Sequence, residues 1–430
     1  MFVRSKMILL FFLLVVAYLP LSFSQELSSG ARDLKCYFLL TKRFKSSQFN
    51  EIREQLPKLA KMGINTLWLS PVHPQTTEGW PGNLNNHNYW PSNHDEVDNN
   101  LGGKKALQQL ILAAHALGIE ICLDIVLNHF GYGHKFSLGG LQVTRDQAAY
   151  FRPPPPADLL RKIYARLRDS NDPREIREQQ KALAQYKLFQ LPTLRHQNPL
   201  VRKYLINAYK PFIDLGMRTF RIDAAKHIPL EFTIAFINAL NEYAREKGYT
   251  LRFIWELFLE KYPALDVLVG DALQGVDNKN GQLFFDYPLA RELTRLQDPN
   301  YQLTWLRSFI EYRENGKHPL HHLVPIVEDH DFFKRLRDSF FANSIYALTE
   351  FLSLNPVILF HGSEQSGVLS EQRQWIDELY PDGDIAKLTK KLYQVLWPYR
   401  SAFLPTVIHF VDESSMLVEK KLSDRSVFLF

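Results

Sequence analysis

The sequence predicts an α/β protein: a (β/α)8 TIM barrel with a subdomain inserted after its third strand and a short C-terminal β region. Three observations predict it. Eight short apolar runs recur along the 430 residues, amphipathic stretches separate them, and polar clusters stand where several of the runs end. Alternating strand and helix patterns point to a parallel sheet wrapped by helices, and eight such units suit a closed barrel. A doubly wound open sheet is the alternative that the alternation leaves open.

The runs occupy residues 36–40, 66–70, 120–126, 219–222, 251–255, 283–285, 323–327 and 357–360. Between the first three, residues 49–62 (FNEIREQLPKLAKM) and 104–117 (KKALQQLILAAHAL) return an apolar side chain every three or four positions, which is the helical period. Gly63 and Gly118 then stand where C-cap glycines stand. From residue 129 to residue 197 no barrel strand is found, a gap far beyond an ordinary βα loop. A subdomain is therefore expected over 130–197, dividing the barrel into residues 25–129 and 198–400. The proline run 153–156 falls inside it, and the charged stretch 161–187 reads as a solvated helical face. Residues 401–430 read as an incomplete C-terminal β domain that stops on an apolar run.

With 46% apolar and 23% charged residues, the composition excludes a disordered or collagen-like chain. The net charge of +5, two of it from Arg4 and Lys6, is too small to point to nucleic acid. Cys36 and Cys122 exclude a disulfide-rich scaffold and a four-cysteine zinc site, leaving one bridge open. A basic start, an apolar run over 7–19 and small residues at Ser22 and Ser24 predict a signal peptide over 1–24. The expected location is secreted or periplasmic. That apolar run is shorter than the roughly 20 residues of a bilayer span, so no stable membrane anchor is expected. Oligomeric state is not legible in the sequence.

In such a barrel the chemistry gathers at the C-terminal ends of the strands, where the βα loops converge. The third run ends in Asp124, Asn128 and His129, and the fourth in Arg221, Asp223, Lys226 and His227. The fifth ends in Trp255-Glu256 and the seventh in Glu328-Asp329-His330-Asp331. Asp and Asn at strand ends also serve as turn residues and caps, but four clusters of one polarity exceed that role. Arg221 precedes Asp223 by two residues, so both project from one strand face, and the guanidinium is expected to keep that carboxylate ionised. An ionised Asp beside a protonatable Glu is the pair that glycoside cleavage requires. Trp80, Tyr89, Trp90 and Trp255 are candidates for stacking on sugar rings.

The four clusters resemble, in order and position, the signature regions of the α-amylase family, glycoside hydrolase family 13. Residues 63–71 resemble its second strand and His87-Asn-Tyr89-Trp90 its loop with a His and a sugar-stacking Tyr. Residues 285–288 and 355–362 resemble its sixth and eighth strands, so the likeness runs from about 35 to about 425. It implies Asp223 as nucleophile, Glu256 as general acid/base and Asp331 as the carboxylate that grips the sugar. It implies substrate-binding places for His87, Tyr89, Asp124, His129, Arg221, Lys226, His227 and His330. The implied reaction is an α-amylase's: retaining hydrolysis of α-1,4-glucosidic bonds in starch, glycogen or maltooligosaccharides, with carboxyls about 5–5.5 Å apart.

Other outcomes stay open. The same carboxylates serve transglycosylases, α-glucosidases and α-1,6- or trehalose-acting members, and a catalytically inactive carbohydrate-binding barrel is a reading of another class. A barrel metallohydrolase is disfavoured, because the first run reads KCYFLL without a His-x-His pair. The family's structural Ca²⁺ is implied through Asn128 and the His227 backbone. Against it, Thr193 in Leu191-Pro-Thr193-Leu194 replaces the expected carboxylate, so calcium is an open expectation.

Overall fold

All eight predicted runs become strands of a single parallel sheet. In chain order they are β1 (Cys36–Leu39), β2 (Thr66–Leu69), β3 (Glu120–Ile125), β6 (Thr219–Ile222), β7 (Arg252–Trp255), β8 (Gln282–Phe285), β9 (Leu323–Val324) and β10 (Leu359–Phe360). Their order is β10-β1-β2-β3-β6-β7-β8-β9. A parallel bridge between Ile326 and Ile358 joins the two ends of that order, and the Ile358 N–H donates to the Pro325 carbonyl at 3.0 Å. The sheet therefore closes on itself. The structure is a computed structural model that describes residues 34–43, 48–76, 87–331, 336, 339–364, 379–396, 406–411, 415–421 and 426–429. The expected leader, 1–24, and Trp80 lie outside the described residues.

The predicted helical periods hold. In the helix Phe49–Met62, the residues Phe49, Ile52, Leu56 and Leu59 are buried, and Gly63 closes it at φ 80°. The second predicted helix spans Gly103–Ala116, with Gly118 at φ 70° two residues beyond its end. These stripes pack on the outward strand residues. The inward residues, among them Cys36, Phe38, Trp68, Cys122, Ile254, Phe285 and Ile358, fill the barrel as a second cluster. Both cysteines are free and buried there, so the bridge left open by the sequence does not form.

The insertion begins with the hairpin β4 (Lys135–Leu138) and β5 (Leu141–Thr144). Its charged stretch forms two helices, Leu159–Asp169 and Pro173–Leu183, rather than one. The break falls where Asp172 caps the second helix and Pro173 occupies its first turn. The bridge His129↔Thr193 and the Leu194 N–H donating to the Asn128 carbonyl at 2.8 Å tie the insertion to the end of β3, while Phe151↔Leu194 joins two stretches within it. Near the C-terminus, β11 (Thr406–Val411), β12 (Met416–Lys421) and β13 (Ser426–Leu429) form an antiparallel sheet. Among the described residues no helix is long and apolar enough to cross a membrane.

Candidate active site

Register decides who meets whom at the barrel mouth. Asp124 on β3 lies directly beside Arg221 on β6, and alternation puts Arg221 and Asp223 on the inward face, as expected. The Asp223 N–H donates to the Ile125 carbonyl at 3.0 Å and the Glu256 N–H to the Ile222 carbonyl at 3.1 Å, so both acids extend the ladder just past β6 and β7. Arg221 Nη1 donates to both Asp124 oxygens at 3.0 Å and to Asp223 Oδ1 at 2.9 Å. Its Nη2 lies 2.7 Å from Glu256 Oε1. One guanidinium thus serves three carboxylates. Asp124 also accepts from Trp68 Nε1 at 3.0 Å and from the Tyr89 hydroxyl at 2.6 Å.

That sharing changes the electrostatics expected from sequence. Three buried acids face one buried cation, and desolvation disfavours charge on every one of them. Burial pushes Asp124 up to about 6 against the pull of Arg221 and Tyr89. Burial likewise raises Asp223 well above the carboxylate range, with Arg221 opposing and Glu256 and Asp124 adding to the rise. Arg221 is therefore not a private counter-ion for Asp223, because its charge is divided. His129 is pushed down to about 4 by burial and stays neutral. Its Nε2–H donates to the Tyr89 carbonyl at 3.0 Å, leaving Nδ1 to accept from the Asn128 amide at 3.4 Å.

Two strained residues aim the loops. Ala224, at φ 48°, turns its N–H onto Glu256 Oε2 at 2.6 Å, and Phe258, at φ 37°, offers its carbonyl to Lys226 Nζ at 2.9 Å. Side chains with a Cβ rarely adopt such φ values, and they persist where the surroundings over-determine them. The Lys226 ammonium also lies 4.8 Å from the Phe258 ring centre and 5.2 Å from that of Tyr164, and burial lowers it to about 8.

The segment after β9 divides its two aspartates. Asp329 is buried, and the Tyr287 hydroxyl lies 3.4 Å from both Asp329 Oδ2 and Glu256 Oε1. The Asp331 side chain is 55% exposed at the mouth, 3.5 Å from His330 Nε2, while its N–H donates to Asp329 Oδ1 at 2.8 Å. His330 stacks on Tyr89 with ring centres 4.4 Å apart and planes 7° apart. His87 accepts the Tyr89 N–H on Nδ1 at 3.0 Å. His227 turns its ring to the Tyr164 hydroxyl at 3.2 Å and its carbonyl to Arg152 at 2.7 Å.

Asp124, Asp223, Glu256, Arg221, Tyr89, His129 and His330 are thus gathered around one centre, with Asp331 at its mouth. Sequence reading placed Asp329 in the cluster of the seventh run without giving it a role, and missed Trp68 and Tyr287 as members of the centre. Alternation from the inward Phe285 was the available signal for Tyr287. Two stacking candidates are corrected. Trp255 is fully buried in the outward layer, with Nε1 donating to Gln282, and Trp90 packs with Leu188 and Leu191 of the insertion.

Acids from neighbouring strands, collected on one arginine at the C-terminal mouth of a closed parallel barrel, define a barrel built for carboxylate chemistry. The family model for the α-amylase catalytic domain matches residues 20–256, more than half of the chain, and the chain belongs to that family. It is 28% identical over 245 residues to a cyclomaltodextrinase of Geobacillus thermopakistaniensis, covering 56% of this chain and 34% of that protein. It is 27% identical over 203 residues to a cyclomaltodextrin glucanotransferase of Geobacillus stearothermophilus, covering 43% and 26%. A maltase A2 of Drosophila melanogaster is 27% identical over 224 residues, covering 49% and 34%. The matched part thus spans about a quarter to a third of these relatives' length. Among solved structures, an α-amylase of Geobacillus thermoleovorans complexed with acarbose superposes with a TM-score of 0.68 at 20% identity, covering 94% of this chain and 87% of that one. A γ-cyclodextrin glucanotransferase of Bacillus clarkii gives 0.70 at 18%, covering 93% and 62%.

Proposed function

We propose that this protein is a retaining glycoside hydrolase acting on α-1,4-glucosidic bonds of starch, glycogen or maltooligosaccharides. The observation that carries the reading is the meeting of Asp223 and Glu256 on the two terminal nitrogens of Arg221. In it, Asp223, in the ionised form that the positive charge developing at the anomeric carbon favours against its burial, attacks that carbon while Glu256 passes a proton to the departing glycosidic oxygen, forming a covalent glycosyl-enzyme. Glu256 then takes a proton from water as that water displaces Asp223, restoring both groups. Asp331 grips the sugar at the mouth, and the stacked pair Tyr89 and His330 offers it a flat wall. Lys226 and the His227 turn lie on the leaving-group side. We propose a location outside the cytoplasm, on the basic start and apolar run that read as a leader over 1–24.

The second reading is transglycosylation, which the names of the glucanotransferase relatives favour. Incubation with maltoheptaose separates the two. Shorter linear sugars with retained α-configuration support hydrolysis, longer or cyclic products support transfer, and no turnover of any α-glucan contradicts both.

A further inference from the structure

The end of β3, the insertion and the turn after β6 meet at a buried cation that belongs to the chain itself. Arg152 is 2% exposed, and its charge feels Glu231 in favour and Arg195 against, yet its hydrogen bonds go to neutral groups. Its Nη1 donates to the His227 carbonyl at 2.7 Å and its Nη2 to His196 Nδ1 at 2.5 Å. His196, kept neutral by burial, donates from Nε2 to the Leu127 carbonyl at 2.9 Å, which fixes Nδ1 as the acceptor that Arg152 needs. The Arg152 backbone N–H, apart from the guanidinium, donates to the Thr193 carbonyl at 2.8 Å. Two neutral acceptors from separate segments, the His227 carbonyl and His196 Nδ1, thus converge on one guanidinium, while the backbone of Arg152 ties its own segment to Thr193.

The residues that a family calcium ion would use are otherwise engaged. The His227 carbonyl faces the guanidinium, and the Thr193 hydroxyl both accepts from the Leu188 N–H at 2.9 Å and donates to the Leu191 carbonyl at 3.2 Å. Only Asn128 Oδ1, buried without a hydrogen-bond partner, has the look of a vacant ligand. Among the described residues no group of three or more His, Cys, Asp and Glu side chains is placed to hold a metal. Calcium takes six to eight oxygens, charged ones foremost, and a guanidinium beside it repels it. A dication with an aspartate and a guanidinium with a threonine carry the same net charge, so Thr193 and Arg152 make sense together.

We infer that Arg152 replaces a structural metal ion at the junction of barrel and insertion, holding the turn 225–227 in place without calcium. Arg152 is a positioning residue here: it touches the His227 backbone and no reacting atom. The inference concerns stability and metal content, so it stands or falls separately from the proposed activity.

The test is thermal unfolding of the purified full chain, with and without chelator and with added millimolar Ca²⁺, alongside metal analysis. Wild-type protein is expected to unfold at one temperature in all three conditions and to carry far less than one calcium per chain. Arg152→Met is expected to lose several degrees, with no recovery on adding calcium, and Arg152→Lys, which keeps the charge but not the fork, to lose less. If Arg152→Met does not fold, the wild-type titration and Arg152→Lys decide. A wild-type melting temperature that falls on chelation and returns with calcium overturns the inference. Unchanged stability in Arg152→Met overturns it equally.

Discussion

Asp223 and Glu256 come from adjacent strands and share one guanidinium, Asp223 at 2.9 Å from Nη1 of Arg221 and Glu256 at 2.7 Å from Nη2. A planar fork is the side chain that can hold two carboxylates in a fixed relation, because its donors are rigid with respect to each other. The pair is therefore set in place by the protein alone, which is the condition for electrostatic and positional catalysis.

Removing either acid separates the two roles. Asp223→Asn is predicted to lower kcat on maltoheptaose by at least about a thousandfold while sugar affinity is kept, because the proposed nucleophile is lost and its shape is not. Glu256→Gln is predicted to lose about a hundred- to ten-thousandfold with poor leaving groups. It should lose much less on a glucosyl fluoride, which departs without a proton. Steady-state kinetics with the two substrate types check both.

Arg221→Lys keeps the charge and loses the fork. One ammonium does not reproduce three directed contacts, so buried carboxylates lose their partner at a cost of about 3–5 kcal/mol. Chemical denaturation should show this loss near neutral pH. The loss should shrink on acidification, since protonated acids no longer need the cation.

Protonation also sets how stability depends on pH. Burial first, then Asp331 and Glu256, raise Asp329 to about 7, and burial raises Asp124 to about 6, against about 3.9 in the unfolded chain. Between those values the folded state binds more protons than the unfolded one. Stability contributed by these two groups is therefore present at low pH and falls as pH rises from about 4 to about 7. Asp329→Asn removes the upper part of that slope. Melting temperatures taken from pH 5 to pH 8 should fall for the wild type relative to the variant, and the opposite trend contradicts the account.

Gly131 offers a packing test at the same mouth. A Cβ built there would lie 2.4 Å from Trp90 Cβ and 2.5 Å from the Trp90 carbonyl oxygen, and the Gly131 N–H donates to the Pro91 carbonyl at 2.8 Å. Gly131→Ala is predicted to push the 87–91 segment away and with it Tyr89, raising KM. It should also destabilise the chain by about 1–3 kcal/mol. Paired kinetics and denaturation measure the two effects.

Much of this was legible in the chain. Two-residue alternation placed Arg221 with Asp223, and runs ending in acids marked the mouth, because both signals are local. Trp255 was misplaced although the same alternation answers it: with Glu256 inward, its neighbour faces the helices. The meeting of Tyr287 with Asp329 became visible only with β8 paired beside β9. Arg152 and His227 lie 75 residues apart across the insertion, and nothing in either segment announces that they meet. Positive φ at Ala224 and Phe258 is likewise a demand of the assembled mouth, since neither residue type advertises it.

The most direct test is to trap the covalent intermediate. Incubation with a 5-fluoro α-glycosyl fluoride, followed by proteolysis and mass spectrometry, should place one glycosyl unit on the peptide and side chain of Asp223, and none on Asp223→Asn. A label on any other residue, or rapid turnover with no adduct and inverted product, contradicts the account.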